Sequence, residues 1–117
     1  MRPIAIFAAL ALAAAAGAAA AETTVTLTLK DHRFTPTEIT VPAGEPIHIV
    51  LINQDAATEE FDSGDLMVEE LVTPNGRTSF TVGPLDAGTF AFMGEYHAKT
   101  ARGRITAVAP QEPASGR

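Results

Sequence analysis

The sequence predicts an all-β sandwich, and three observations carry that expectation. Short runs in which apolar and polar residues alternate recur along the chain. Gly- and Pro-rich turns punctuate them, and no stretch beyond residue 21 shows convincing helical periodicity. About seven such strands at regular spacing are the pattern of a sandwich and not of strand–helix units.

The first 21 residues stand apart. Arg2 supplies a positive charge, residues 4–16 are almost purely apolar, and Ala19, Ala20 and Ala21 form a small-x-small cleavage site. Residues 1–21 therefore read as a secretory signal peptide cut near Ala21. The apolar run is short and mostly Ala, which disfavours a permanent anchor, so the mature chain is expected in the periplasm without membrane insertion. Residues 22–109 then form one domain, and residues 110–117 (PQEPASGR) have no periodicity and are expected to be a disordered tail.

Residues 23–29 alternate strictly, with Val25, Leu27 and Leu29 on one face and threonines on the other, the mark of a half-buried strand. A break at residues 30–33 leads through Phe34 and Pro36 to a second strand over residues 38–41, ended by Pro42 and Gly44. Residues 46–53, rich in Ile, Val and Leu, read as a central strand covered on both faces. From residue 53 to 64 polar residues take over, as in a loop, and residues 66–72 (LMVEELV) fit either a short helical turn or an irregular strand. After a turn at residues 73–76, strands follow over 78–82, with Phe80 and Val82 inward, over 89–92 and over 104–108. Phe34, Phe61, Phe80, Phe90 and Phe92 are expected in the core, and His48 is read as structural.

Charge narrows the function. Eight Lys and Arg face 14 Asp and Glu, for a net charge of −6, or −7 once Arg2 is removed. Nucleic acid and anionic lipid are poor partners for such a chain, whereas cations and basic protein surfaces are good ones. There is no cysteine, so neither a disulfide nor a thiolate-bound metal is available. A nucleophile elbow and an HExxH motif are also missing, which argues against a hydrolase.

With the strands in order, the sequence resembles the cupredoxins over nearly all of residues 22–109. The segments that carry the likeness are FTPTEITVPAGEPIHIVLINQD (residues 34–55), EEF (59–61) and GPLDAGTFAFMGEYH (83–97). The resemblance implies a Greek-key β-sandwich of about seven to eight strands with its metal ligands at one end. Of the four blue-copper ligand positions one survives: His97 matches the loop histidine, Gly94 stands in place of the cysteine, Thr100 or Ala101 in place of the methionine, and Glu59 in place of the upstream histidine. A blue-copper site needs its thiolate, so that chemistry is excluded. The sequence is most similar to Cys-less cupredoxin-like proteins encoded with bacterial ferrous-iron uptake systems. That likeness implies copper or iron handling beside a membrane iron permease or another periplasmic metal protein, with Fe(II) oxidation as one implied role.

The same fold would bring three loops together, carrying His32, Glu59 with Glu60, and Glu95 with His97. His97, Glu95, Glu59, Glu60, His32 and Asp62 are thus the candidate metal ligands, with Met93 in reserve. On an extended segment Glu95 and His97, two residues apart, would face one side. Such an N/O donor set suits Cu(II), Fe(II)/Fe(III), Mn(II) or Zn(II) over Cu(I). Carboxylates favour Fe(III) over Fe(II), which would ease ferrous oxidation. Residues 54–76 hold seven acids and no Lys or Arg; Lys99, Arg102 and Arg104 are placed to offset part of that charge. The competing reading is a metal-free sandwich that docks a basic protein partner through this acidic end, and a third is a copper chaperone or buffer without redox turnover. The sequence leaves open a site shared by two copies of the chain.

Overall fold

A computed structural model describes residues 22–110. The expected signal peptide and all of the tail except Pro110 lie outside the described residues. Nine strands run in the order β1 (Thr23–Lys30), β2 (Arg33–Thr35), β3 (Glu38–Pro42), β4 (Ile47–Asn53), β5 (Glu59–Ser63), β6 (Val68–Val72), β7 (Arg77–Val82), β8 (Gly88–Gly94) and β9 (Arg102–Val108). Among the described residues a single 3₁₀ turn, Glu95–His97, joins β8 towards β9. One sheet has the order β2-β1-β4-β7 and the other β3-β9-β8-β5-β6. Parallel pairing of β1 with β4 and of β3 with β9 ties distant parts of the chain into each sheet.

Alternation explains which face each strand buries. Leu27 and Leu29 of β1, Ile47, Ile49 and Leu51 of β4, and Ile105 and Ala107 of β9 all point between the sheets and are buried. Each buried Leu or Ile contributes about 1.5–3 kcal/mol by leaving water. Phe61 sits at the centre, stacked on Phe92 at 5.0 Å and tilted against Phe80 at 5.0 Å, while Phe34 meets Phe92 edge-on at 5.3 Å. Phe90 packs against this cluster half-buried.

Two expectations are corrected, and one choice left open is decided. β4 is buried on one face only, because its sheet has the other sheet on one side. Its outward residues His48, Val50 and Ile52 are half-buried beside Thr24, Thr26 and Thr28 of β1 and Thr81, Ser79 and Arg77 of β7. The ambiguous LMVEELV segment resolves into a turn followed by β6, with Met67 at φ 59° ending the turn. Residues 59–63, read as part of a loop, form β5, whose inward residues are Glu59, Phe61 and Ser63. Ser63 is accommodated because its Oγ donates to the Ala91 carbonyl at 2.6 Å and accepts from the Leu66 N–H at 2.9 Å.

The connection from β4 to β5 is shaped by Asn53, which is buried. Its Nδ2 donates to the carbonyls of Ala57 (2.8 Å) and Thr73 (3.0 Å), and its Oδ1 accepts from the Asp55 N–H at 2.9 Å. A loop that satisfies its own backbone groups in this way has a fixed course. It brings the start of β5, the β1–β2 turn and the 3₁₀ turn to the same end of the sandwich.

Candidate metal centre

Glu59 opens β5 on its inward side, and its side chain is 1% exposed. A carboxylate so placed needs hydrogen-bond donors on both oxygens. Oε1 accepts from the Tyr96 N–H at 2.8 Å and from its neighbour's N–H, that of Glu60, at 3.0 Å. Oε2 lies 2.6 Å from His97 Nδ1. The loop that delivers Tyr96 and His97 is closed at its base, where the Gly94 N–H donates to the Ala101 carbonyl at 2.8 Å, and the Ala101 N–H in turn donates to the His97 carbonyl at 2.9 Å.

Gly94 makes this arrangement possible. A Cβ at that position would stand 2.7 Å from Glu59 Cδ, 2.8 Å from its Oε2 and 2.9 Å from the Ala101 Cβ. The carboxylate thus fills the volume into which a side chain at residue 94 would project. Glu59, Gly94, His97 and Ala101, the residues at the family's four ligand positions, do come together, with Ala101 rather than Thr100 lining the fourth.

His32 completes the group. Its ring stacks on that of His97 with centroids 3.7 Å apart and planes 9° from parallel. His32 Nδ1 is buried, has no hydrogen-bond partner among the described residues, and lies 3.5 Å from Asp55 Oδ2. Partial burial pushes the Asp55 carboxyl up, but the N–H groups of His32 and Asp31 outweigh it and leave its pKa below the usual aspartate value.

The other three candidates gather elsewhere. Strand alternation turns Glu60 and Asp62 away from Glu59, onto the outer face of the sheet, and Asp62 pairs there with Glu69 across β6. Glu95 does not share a side with His97, because the 3₁₀ turn replaces the extended segment that would have aligned them. Asp62, which can accept from the protonated Glu95 carboxyl and repels the ionised one, raises the Glu95 pKa, and the charges of Glu60 and Glu69 add to this. Desolvation and the charges of Glu69, Asp62 and Glu59 raise that of Glu60 as well. Met93 faces the side of the sheet opposite Gly94. Arg104 pairs with Glu38 at 3.1 Å, and Arg102 Nε donates to the Ala98 carbonyl at 2.7 Å, so neither hydrogen-bonds this patch. A surface hollow of about 380 Å³ along the β5–β6 hairpin, lined by Asp62, Met67 and Glu69, does not include Glu59 or His97.

A blue-copper ion does not fit this centre, because residue 94 offers no sulfur and a carboxylate fills its space. Two imidazoles and one carboxylate do fit a harder ion by donor type, and the unpartnered His32 Nδ1 leaves one nitrogen uncommitted. As placed, Glu59 and His97 bind each other, and no group of three His, Asp or Glu side chains among the described residues is arranged to hold an ion. Binding through both imidazoles would therefore replace the Glu59–His97 hydrogen bond and part the stacked rings, whose in-plane nitrogens do not converge. Asp55 and Asn53, absent from the sequence-based site, shape its surroundings; an Asn at a strand end followed by an Asp two residues later was the available signal.

The comparisons with known proteins agree with the architecture. A family model for the cupredoxin-like domain matches residues 3–107. An uncharacterised protein of Rickettsia prowazekii (strain Madrid E) is 37% identical over 77 residues, which is 66% of this chain and 62% of that protein. The chain thus spans less than two thirds of that relative's length. Auracyanin A, a blue copper protein from Chloroflexus aurantiacus, superposes with a TM-score of 0.65 and 16% identity, over 75% of this chain and 100% of that one. The metal-binding domain of the Cu(I)-exporting P-type ATPase CopA of Streptococcus pneumoniae gives 0.66 and 16%, over 74% of this chain and 86% of that one. At such identity the two structures speak for the fold alone. The family match spans most of the sequence and settles membership: the chain belongs to the cupredoxin-like domain family.

Proposed function

We propose that this protein is a periplasmic metal-handling cupredoxin-like domain that takes Cu(II) or an iron ion through His97, Glu59 and His32, in support of ferrous-iron uptake or copper handling. The observation that carries this reading is the buried Glu59 carboxylate held 2.6 Å from Nδ1 of His97, on whose ring that of His32 is stacked. Glu59 would supply the anionic oxygen and His97 and His32 one ring nitrogen each, once His97 leaves its hydrogen bond to Glu59 and the two stacked rings part. Cu(II) or iron would bring one-electron chemistry, and a carboxylate in place of a thiolate favours the higher oxidation state. A membrane iron permease or another periplasmic metal protein is the partner class that the family resemblance suggests.

A second reading keeps the sandwich metal-free and docks a basic protein on Glu60, Asp62, Glu69 and Glu95. The raised pKa of Glu95 and Glu60 favours it, since like charges held together gain from an opposing cationic surface.

Thermal melts with Cu(II), Fe(II) and Zn(II) separate the two. An ion that binds the folded chain at 100 times its Kd adds about 2.7 kcal/mol of stability, and His97→Ala should abolish the shift. If none of the three ions raises the melting temperature, the metal reading fails. A ferroxidase role requires in addition that Fe(II) is lost in air faster than in buffer, and only with His97 intact.

A further inference from the structure

We infer that Asp55 is the positioning residue of this centre: its carboxylate holds the β1–β2 turn in the conformation that stacks His32 on His97. Asp31 and His32 have φ of 53° and 58°, a left-handed conformation that glycine adopts freely and other residues adopt at a cost. Both belong to the two-residue hairpin turn between β1 and β2, and with no glycine at either position a contact that holds the turn offsets the cost. Asp55 makes that contact from 23 or 24 residues away, with Oδ1 accepting the Asp31 N–H at 2.7 Å and Oδ2 the His32 N–H at 2.9 Å. Two successive N–H groups on one carboxylate form an anion-binding concavity.

The carboxylate is itself fixed. Its own N–H donates to Asn53 Oδ1 at 2.9 Å, and its carbonyl accepts from the Asn75 N–H at 2.9 Å. With the Asp55 side chain 11% exposed, the turn has little freedom to slide along it. What the turn delivers is the imidazole: ring against ring at 3.7 Å, with Nδ1 outside hydrogen-bond geometry and 3.5 Å from Asp55 Oδ2. Reversing the chain asks for the left-handed pair, but not for a carboxylate from the β4–β5 connection to hold it.

The positioning claim stands on the metal-free geometry, and its consequence for affinity rests on the metal reading proposed above. The test uses the purified protein with Asp55→Ala, Asp55→Asn, His32→Ala and the Asp55→Ala/His32→Ala pair. In metal-free NMR spectra the ring C–H protons of His32 and His97 should carry mutual ring-current shifts in the wild type and lose them in Asp55→Ala. Asp55→Asn, which keeps one acceptor oxygen, should retain part of them and serves as the decisive variant if Asp55→Ala fails to fold. By calorimetric Cu(II) titration, Asp55→Ala should weaken binding about 10- to 100-fold, by the same factor as His32→Ala, and the pair should be no weaker than either alone. Ring-current shifts unchanged in both Asp55 variants, or affinity losses that add in the pair, would overturn the positioning role. If the wild type binds no Cu(II), the metal reading falls and the NMR comparison alone decides the role of Asp55.

Discussion

A buried carboxylate persists only where its oxygens are occupied and its volume is available, and Glu59 meets the two conditions separately. Tyr96, Glu60 and His97 occupy the oxygens, while Gly94 supplies the volume. The pair Glu59–Gly94 therefore behaves as one unit. Gly94→Ala is expected to cost about 1–3 kcal/mol in denaturant unfolding, as overpacking of a tight site does. Because the two residues touch, the cost should shrink when Glu59 is also Ala, with a coupling of about 0.5–3 kcal/mol in a double-mutant cycle. Additive losses would mean that the carboxylate has room elsewhere. The absence of a cysteine at residue 94 was legible in the sequence; that a glutamate 35 positions earlier fills its space was not, since only the paired registers of β5 and β8 bring them together, with Phe61 opposite Gly94.

Among the elements, β5 shows where hydrophobic periodicity stops being informative. Its inward residues alternate correctly, but Glu59 and Ser63 are polar because one belongs to the centre and the other anchors the following turn. Apolar patterning located β1, β3, β4, β7, β8 and β9, where inward positions serve mainly packing, although the run in β4 read as buried on both faces. The separation of Glu95 from His97 was hidden for a related reason. A three-residue-per-turn segment between two strands leaves no periodic trace in so short a stretch. The loop that leads into β5 depends on Asn53, whose three hydrogen bonds close the segment around Asp55 and Ala57. Asn53→Ala leaves two carbonyls and one N–H without those partners and is expected to cost about 3 kcal/mol by chemical denaturation. A loss below about 0.5 kcal/mol would show that water substitutes for the amide, as it does at surface sites.

At the scale of the molecule, two opposing titrations shape stability. The pKa of Asp55 is lowered in the folded state, so its contribution is present above the unfolded value and lost as pH falls through the folded one. Glu95 and Glu60 are raised, so the folded state holds their protons more tightly. Their contribution is complete below the unfolded value, near 4.5, and is lost as pH climbs through the folded one. Thermal melts across mildly acidic pH should thus show stability gained on leaving strong acid and partly given back towards neutrality. Asp62→Asn removes the like-charged neighbour that most raises the Glu95 pKa, so it should flatten the decline and raise the melting temperature at pH 7, less so in high salt. An unchanged profile would place the carboxylates too far apart in solution to interact. The proposal that imidazole and carboxylate groups, without a thiolate, hold the ion is read straight from the absorption and EPR spectra of the Cu(II)-loaded protein. The expected result is a spectrum without intense thiolate charge transfer, with nitrogen coupling from two imidazoles, of which one disappears in His97→Ala and one in His32→Ala. Nitrogen coupling that survives unchanged in both variants would place the ion elsewhere and contradict the assignment.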